Sequence, residues 1–246
     1  MGIVDDVIVH ILLNRKEKPG QSFPIVPTRF VSSHEHLIDH ITPETATELS
    51  KLAGFLSNKG KEFGSSLNLY ETNLQEKILP FIKDRELLSI LKSDEFQRSF
   101  QRYTLLRNSD RIWYSGVKFQ GRPQYEACIR AKQNIAKDTL IWELCGVLSS
   151  DPAGESYSTI IPHPSQFPTE KERARWMVGP ARLCNHSCRP NAILRAIPAQ
   201  PAFIVQVTRP LLIGDEITIS YGKDFWAGNC LCARCRPETL IYLETV

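Results

Sequence analysis

The chain lacks several features that would assign it to common classes of protein. No apolar run among its 246 residues reaches the roughly 18 residues that a transmembrane helix needs. No glycine-rich phosphate loop is present, and strand and helix patterns do not alternate steadily, which argues against a nucleotide-binding doubly wound fold. Internal repeats and low-complexity tracts are also absent. With 42% hydrophobic and 23% charged residues, the chain is predicted to form one large or two modest globular domains.

Neither positive nor negative charge is in strong excess. The chain has 30 Lys and Arg against 27 Asp and Glu, a net charge of +3, and no basic stripe. This balance permits an acidic partner, but we expect no sequence-specific nucleic-acid binding. Asp5 and Asp6 stand where a signal peptide would have Lys or Arg, so neither secretion nor membrane association is expected.

The first part of the chain has apolar residues at helical spacing. Thr42-Pro43 predicts an N-cap followed by proline at the first helical position. Further along, Phe96, Phe100 and Tyr103 would form the buried face of one helix. We therefore predict a helical N-terminal domain over residues 1–107.

From about residue 108 the pattern changes to short runs rich in β-branched and aromatic residues, separated by turn signals. An inserted loop with a short helix at 169–175 is expected within the proline-containing stretch 149–175. Together with the helical first part, these runs indicate the α+β class. The predicted strands cover residues 127–130, 139–148, 191–197, 202–208 and 216–221.

Three of the seven cysteines lie within six residues, at Cys230, Cys232 and Cys235. In a chain without secretion signals, such crowding favours metal ligation over disulfides. Zinc in a structural site takes four ligands, so one must come from elsewhere.

The candidates for the fourth zinc ligand are Cys188, Cys184 and His186. We favour Cys188 because Pro190 stiffens the chain just after it. The alternative is free thiols that cluster by chance. A nucleic-acid-binding zinc ribbon would require two cysteine pairs, and the sequence has only one cluster.

Two further segments accompany the cysteines. Asn185-His186 precedes Cys188, and a strand-like run beginning at Gly214 ends on Tyr221. Taken singly these residues indicate little, because Asn and His are common turn or core hydrogen-bonders and a strand-terminal Tyr usually packs. Their order and spacing together are specific.

That combination resembles the SET-domain protein lysine methyltransferases. Residues 182–191 resemble the family motif R-F-x-N-H-x-C-x-P-N, and residues 214–221 resemble G-E-E-L-T-x-x-Y. Residues 230–235 resemble the post-SET cysteines. The segment 221–226 is similar to the Y-G-D-x-F-F segment of the Su(var)4-20 type, the histone H4 lysine-20 methyltransferases, and most of all to fungal members. The stretch 119–129 departs from the G-x-G-W pattern of the family at large.

The resemblance implies a SET domain over residues 108–222, built of short twisted sheets with a knot-like C-terminus. It also implies a post-SET zinc segment over residues 223–246 with one structural zinc ion. The implied activity is transfer of a methyl group from S-adenosylmethionine to lysine 20 of histone H4. The nucleosome would be the substrate and the nucleus and chromatin the location. No chromatin-reader segment is visible, so targeting is expected to come from a separate protein or from a region outside this chain.

The resemblance also implies roles for individual residues. Tyr221 would be catalytic and would align the amine with the methyl group. His186 would contact the adenine through its backbone, an alternative role as general base being less favoured, and Phe225 and Trp226 would line the lysine channel or serve as core. The implied cofactor-binding residues are Asn185, His186, Cys184, Glu126 and Gly121, and the implied metal ligands are Cys188, Cys230, Cys232 and Cys235.

Three other functions remain open at this point. The chain could methylate lysines of non-histone proteins, or it could be a catalytically inactive SET module that binds a peptide. Retention of Tyr221, Asn185 and all four cysteines argues against an inactive module. A zinc-dependent nucleic-acid binder is the third alternative, weakened by the small net charge.

Overall fold

The structure is a computed structural model in two compact units. The first comprises Met1–Phe23 and Phe30–Asn108, and the second comprises Pro24–Arg29 and Ser109–Val246. Within the described part of the chain, no helix is long and apolar enough to cross a membrane. The described residues are 4–5, 7–9, 25–26, 41–42, 44–45, 47–49, 51, 72, 74–119, 125–149, 159–160, 175–221, 230–236 and 240–242.

Two α-helices of the first unit begin at side-chain N-caps. Helix α1 (Arg85–Leu91) starts after Asp84, whose Oδ1 accepts from the third helical backbone N–H at 2.8 Å. Helix α2 (Asp94–Arg107) starts after Ser93, whose Oγ accepts from the equivalent N–H at 3.1 Å. Each cap satisfies a backbone donor that the helix itself leaves unpaired, a contribution of about 1 kcal/mol. An irregular helical stretch over Leu74–Ile78 and Leu79–Phe81 precedes them.

The predicted buried face of α2 is confirmed. Phe96, Phe100 and Tyr103 are fully buried, and the two phenylalanine rings stack with centroids 5.6 Å apart. The Tyr103 hydroxyl donates to the buried Asp5 Oδ2 at 2.8 Å. The predicted N-cap is also confirmed, because Thr42 Oγ1 accepts from a backbone N–H three residues on. The full extent of a helical domain over residues 1–107 stays a prediction, since much of residues 1–73 lies outside the described residues.

The second unit is mostly sheet. The strands are β1 Ile25–Val26, β2 Ile112–Phe119, β3 Tyr125–Ala131, β4 Leu140–Ser149, β5 Thr159–Ile160, β6 Arg175–Val178, β7 Asn185–His186, β8 Ala192–Ala196, β9 Ala202–Val207, β10 Thr218–Ile219 and β11 Leu240–Tyr242. One sheet has the strand order β1-β3-β2-β11, another has the order β5-β6-β4-β9-β8, and β7 and β10 form a parallel pair.

The strands differ from the sequence prediction in several places, and the short strands β1, β5, β6, β7 and β11 were not predicted. Strand β2 was not predicted, because its buried and partly exposed residues do not alternate along the chain. It is held in the sheet by β3 on one side and β11 on the other. The helix expected at 169–175 is wrong at Arg175, which begins β6 and pairs with β5 (169–174 lie outside the described residues). The predicted strand 216–221 is shorter, since only Thr218–Ile219 pair as a strand. The boundaries predicted at 107/108 and 222/223 stay predictions.

A buried turn of 3-10 helix, Pro180–Leu183, connects β6 to β7. The preceding Gly179 has φ +108°, a backbone conformation that side chains with a Cβ rarely adopt. A Cβ at this position would lie 2.8 Å from the backbone oxygen of Cys145. Glycine therefore allows the turn to pack against β4, and the turn delivers Cys184 in an extended conformation at the start of β7.

The run from Gly214 to Ile219 lies between β3 and β7. Its first residues bond to β3, with Gly214 N donating to Ala131 O at 2.8 Å and Ile217 N to Ile129 O at 2.8 Å. Thr218–Ile219 then pair in parallel with Asn185–His186. This placement brings Glu216 beside both β3 and β7.

Candidate active site and metal centre

The Asn185 side chain is held in one orientation. Its Nδ2 donates to the backbone oxygen of Ala127 at 3.0 Å and to Glu216 Oε1 at 2.8 Å. Both amide protons are therefore used within the protein. In the part of the chain that the structure describes, no group donates to Asn185 Oδ1, so Asn185 can offer a ligand an acceptor.

Asn191 joins the same region through two backbone contacts. Its Nδ2 donates to the backbone oxygen of Glu216 at 2.8 Å, and its Oδ1 accepts from the Thr218 N–H at 2.8 Å. The residue is only 6% exposed. Asn191 thus holds the run that enters β10, a function that its place in the motif did not reveal.

Tyr221 follows β10 and makes two contacts back to the chain around β7. Its hydroxyl donates to the Cys184 backbone oxygen at 2.7 Å, and its backbone N–H donates to His186 Nδ1 at 3.1 Å. Burial, followed by the nearby Cys184, Glu216 and Glu126, raises the pKa of Tyr221 well above its ordinary value. The hydroxyl therefore stays protonated near neutral pH and acts as a hydrogen-bond donor.

The His186 side chain connects Tyr221 to the cysteine cluster. Because Nδ1 accepts from a backbone N–H, the ring proton is on Nε2, which lies 3.4 Å from Cys188 Sγ. Burial lowers the pKa of His186, which favours the neutral ring. The motif predicts a backbone role for His186 and does not reveal this side-chain contact. The signal that could have revealed it is the closeness of His186 in sequence to the favoured ligand Cys188.

Four sulfur atoms meet beside this histidine. The Sγ atoms of Cys188, Cys230, Cys232 and Cys235 all lie within 4.8 Å of one another. Cys188 Sγ is 3.6 Å from Cys230 Sγ and 3.5 Å from Cys235 Sγ. Tetrahedral zinc with Zn–S bonds of about 2.3 Å requires sulfur atoms about 3.8 Å apart. The donor set and its spacing therefore fit zinc.

The other two candidate ligands are placed differently. Cys184 is fully buried outside the cluster, and burial, then the charge of Glu216, raises the pKa of its thiol. His186 approaches a cluster sulfur instead of completing the set. Within the cluster, burial acts to raise the pKa of Cys232, but backbone N–H groups of Cys188 and Cys235 outweigh it and bring it to about 6. The thiolate form of Cys232 is thus favoured at neutral pH, and its negative charge suits the binding of a metal cation.

A cavity of about 440 Å³ lies next to these groups. This size falls within the range of small-molecule sites. Charged side chains of both signs line it, namely Arg209, Asp215 and Glu216. The remaining lining residues are Phe119, Asn185, His186, Ser187, Asn191, Pro210, Leu211, Leu212, Thr218, Cys232 and Ala233. The cavity can therefore hold a polar ligand that carries both charges.

The remaining predicted site residues are placed as follows. Glu126 is half-buried on β3, and its charge acts on Tyr221. Cys184 contributes its backbone oxygen rather than its thiol. Gly121, Phe225 and Trp226 lie outside the described residues. The roles of these five residues stay predictions.

Comparisons with known proteins identify the domain. Residues 126–222 match the SET domain family. A Yarrowia lipolytica protein named histone-lysine N-methyltransferase SET9 is 24% identical over 249 residues, covering 97% of this chain and 27% of its own length. Proteins of the same name from Phaeosphaeria nodorum and Aspergillus fumigatus are 27% and 30% identical, over 81% and 46% of this chain.

The chain is much shorter than these relatives, since the matches span 27%, 34% and 19% of their lengths. A solved structure from Plasmodium falciparum matches 48% of this chain and 98% of its own at 21% identity, with a TM-score of 0.31. The family match extends from β3 to the residue after Tyr221 and so includes the β7–β10 pair, Asn191 and Cys188. Residues 126–222 of this chain are a SET domain.

Proposed function

We propose that the chain is an S-adenosylmethionine-dependent protein lysine methyltransferase whose substrate is lysine 20 of histone H4. The observation that supports it most is the position of Tyr221, whose hydroxyl donates to the Cys184 backbone oxygen at 2.7 Å. This hydroxyl lies beside the strand pair that lines the cavity. The SET-domain match and the names of the relatives support the same reaction class.

The residues around the cavity suit S-adenosylmethionine. The ligand has an ammonium, a carboxylate and a sulfonium, and it supplies an activated methyl group when bound. Asn185 Oδ1 and the carboxylate of Glu216 offer acceptors to cationic groups, and Arg209 offers donors to a carboxylate. Glu216 also fixes the amide of Asn185 so that the oxygen, not the nitrogen, is available.

Tyr221 orients the reacting amine through its hydroxyl oxygen, which can accept from the amine N–H while its own proton is donated to the Cys184 backbone oxygen. Its raised pKa keeps the hydroxyl protonated, so it does not act as a base. A lysine amine that enters a buried channel next to a positive charge has its own pKa lowered, so its neutral form becomes accessible without a strong protein base. Orientation of the reactants can then contribute several kcal/mol, up to about 7–11 kcal/mol. The Tyr221 hydroxyl and the Cys184 backbone oxygen provide two fixed polar groups for that orientation.

The four cysteines would hold one structural zinc ion. Four thiolates leave no open position for water, so the ion would not take part in methyl transfer. Its function would be to join Cys188, just after β7, to the segment 230–236. That segment also contributes Cys232 and Ala233 to the cavity wall, so the metal would help to complete the cofactor site.

The histone substrate and the nuclear location rest on the subtype resemblance and on the names of the relatives. Two alternatives, a non-histone substrate and an inactive peptide-binding module, are distinguished from the proposal by one set of assays. The chain is incubated with labelled S-adenosylmethionine and nucleosomes that contain either normal H4 or H4 with lysine 20 replaced by alanine. Label that appears only on normal H4 supports the proposal.

Mass spectrometry of the labelled histones identifies the modified lysine. Equal labelling of both nucleosomes contradicts the lysine 20 assignment. In a parallel incubation with a cell extract, label that appears only on proteins of the extract supports a non-histone substrate. Cofactor binding by calorimetry without transfer to any substrate supports the inactive peptide-binding module instead.

A further inference from the structure

The His186 side chain lies between two groups that the proposed function uses for different purposes. One is Tyr221, and the other is Cys188 of the cysteine cluster. The distances are 3.1 Å from Tyr221 N to Nδ1 and 3.4 Å from Nε2 to Cys188 Sγ. The ring therefore contacts both through its two nitrogen atoms.

The direction of each hydrogen bond is fixed. A backbone N–H can only donate, so Nδ1 is the acceptor and Nε2 must carry the proton of a neutral ring. Nε2–H then points to a sulfur that is a good acceptor when it is a metal-bound thiolate. Hydrogen bonds from outer groups to metal ligands orient those ligands, and their loss weakens metal binding about 10–100-fold.

The backbone of Tyr221 depends on this histidine. Strand pairing of β10 ends at Ile219, whose backbone oxygen accepts from Ser187 N at 3.0 Å. Two residues later the N–H of Tyr221 donates to a side chain instead of to a neighbouring strand. A small movement of the ring would therefore move the main chain that carries the tyrosine hydroxyl.

We propose that His186 is a positioning residue that couples the metal centre to Tyr221. Metal binding fixes the Cys188 sulfur, the sulfur fixes the imidazole through Nε2–H, and Nδ1 fixes the amide of Tyr221. The inference rests on the proposed metal centre and deepens the proposed function, because it gives the metal a defined route to the catalytic tyrosine.

Three substitutions separate the two contacts. In His186→Asn the side-chain oxygen replaces Nδ1 and keeps the acceptor for Tyr221 N–H, but nothing reaches Cys188. In His186→Gln the longer amide replaces Nε2–H and keeps the donor to sulfur, but the acceptor for Tyr221 is lost. His186→Ala removes both. Ile193→Ala, at a residue of β8 that is 44% exposed, is the control for a neutral surface change.

The metal contact is measured without any enzymatic assay. Zinc affinity is determined by competition with a chelator, and the site is loaded with Co²⁺ to record its thiolate charge-transfer absorption. We expect zinc affinity to fall about 10–100-fold in His186→Asn and His186→Ala, with a shifted Co²⁺ spectrum. His186→Gln and Ile193→Ala should stay within a few-fold of the unmodified chain. Unchanged zinc affinity in all three histidine variants would overturn the inference.

The contact to Tyr221 is measured by NMR on the full chain labelled with ¹⁵N-tyrosine. The chain has seven tyrosines, and Tyr221→Phe assigns the signal. In the unmodified chain zinc removal should shift the Tyr221 amide signal, and in His186→Gln it should shift by much less. Equal shifts in both proteins, or no shift in the unmodified chain, contradict the coupling.

These measurements also distinguish the inference from the proposed function. A chain that shows the expected metal affinities and NMR shifts but transfers no methyl group supports the coupling and contradicts the enzyme. A chain that transfers methyl groups while the Tyr221 signal is indifferent to zinc supports the enzyme and contradicts the coupling.

Discussion

Replacement of Asn191 tests how the run that enters β10 is held. In Asn191→Ala the Glu216 backbone oxygen and the Thr218 N–H each lose a partner at 2.8 Å. A buried group left without its hydrogen bond costs about 1–3 kcal/mol, so the two together lower the free energy of unfolding by about 2–6 kcal/mol. The 6% exposure of Asn191 leaves little access for water to replace these bonds.

Asn134 provides a matched control. Its Oδ1 accepts from the Ile213 N–H at 3.0 Å, but it lies on the surface. Asn134→Ala should therefore change the free energy of unfolding by only about 0.5 kcal/mol. All four tryptophans, at positions 113, 142, 176 and 226, belong to the second unit, so their fluorescence during urea titration follows that unit alone.

Asn191→Asp adds a test by pH. One carboxylate oxygen can still accept from Thr218 N–H, but the other faces the Glu216 backbone oxygen, so the folded state favours the protonated acid. The folded-state pKa would then be raised above the unfolded value of about 3.9. The stability that the protonated acid contributes is fully present below that unfolded pKa and is lost as pH rises through the folded pKa. Asn191→Asp should thus be closer in stability to the unmodified chain at pH 4 than at pH 7.

A loss of unfolding free energy in Asn191→Ala no larger than that in Asn134→Ala would refute the role of Asn191 in bridging Glu216 and Thr218.

Three further predictions concern the tyrosine, the metal and an ion pair. Tyr221→Phe should leave S-adenosylmethionine affinity nearly unchanged in calorimetry and lower single-turnover transfer about 100-fold; collapsed affinity with normal transfer per bound complex would contradict the assigned role. Cys232→Ser should lose zinc, weaken cofactor binding and increase amide hydrogen exchange over residues 223–246, so full activity without zinc would refute the proposed role of the metal in completing the cofactor site. Burial alone raises the pKa of Glu143, but hydrogen bonds led by those from Arg111 outweigh it and bring the pKa below its ordinary value. Its stabilising contribution is present above the unfolded-state pKa and is lost as pH falls through the folded value. The stability of Glu143→Gln should therefore depend less on pH in acid titrations, and an unchanged acid limb would contradict this assignment.

The features that the sequence determined are those set by local chemistry. The N-cap at Thr42 and the buried face of α2 follow from short-range spacing, and both were predictable. The thiol chemistry of the proposed metal site is also local, since three cysteines in six residues favour zinc over other ions. The order and spacing of the three motif segments, 182–191, 214–221 and 230–235, also sufficed to predict a SET domain, which the family match confirms.

Tertiary structure decided the contacts between residues that are distant in sequence. It places Cys188, and neither Cys184 nor His186, among the three clustered thiols. It also brings Glu216 to Asn185 across 31 positions and Tyr221 to His186 across 35. The physical reason is that β8 and β9 separate β7 from β10 in sequence, so no local pattern encodes which polar groups will meet. The sequence therefore determines which chemical groups are available, and the sheet pairing decides which of them act on one another.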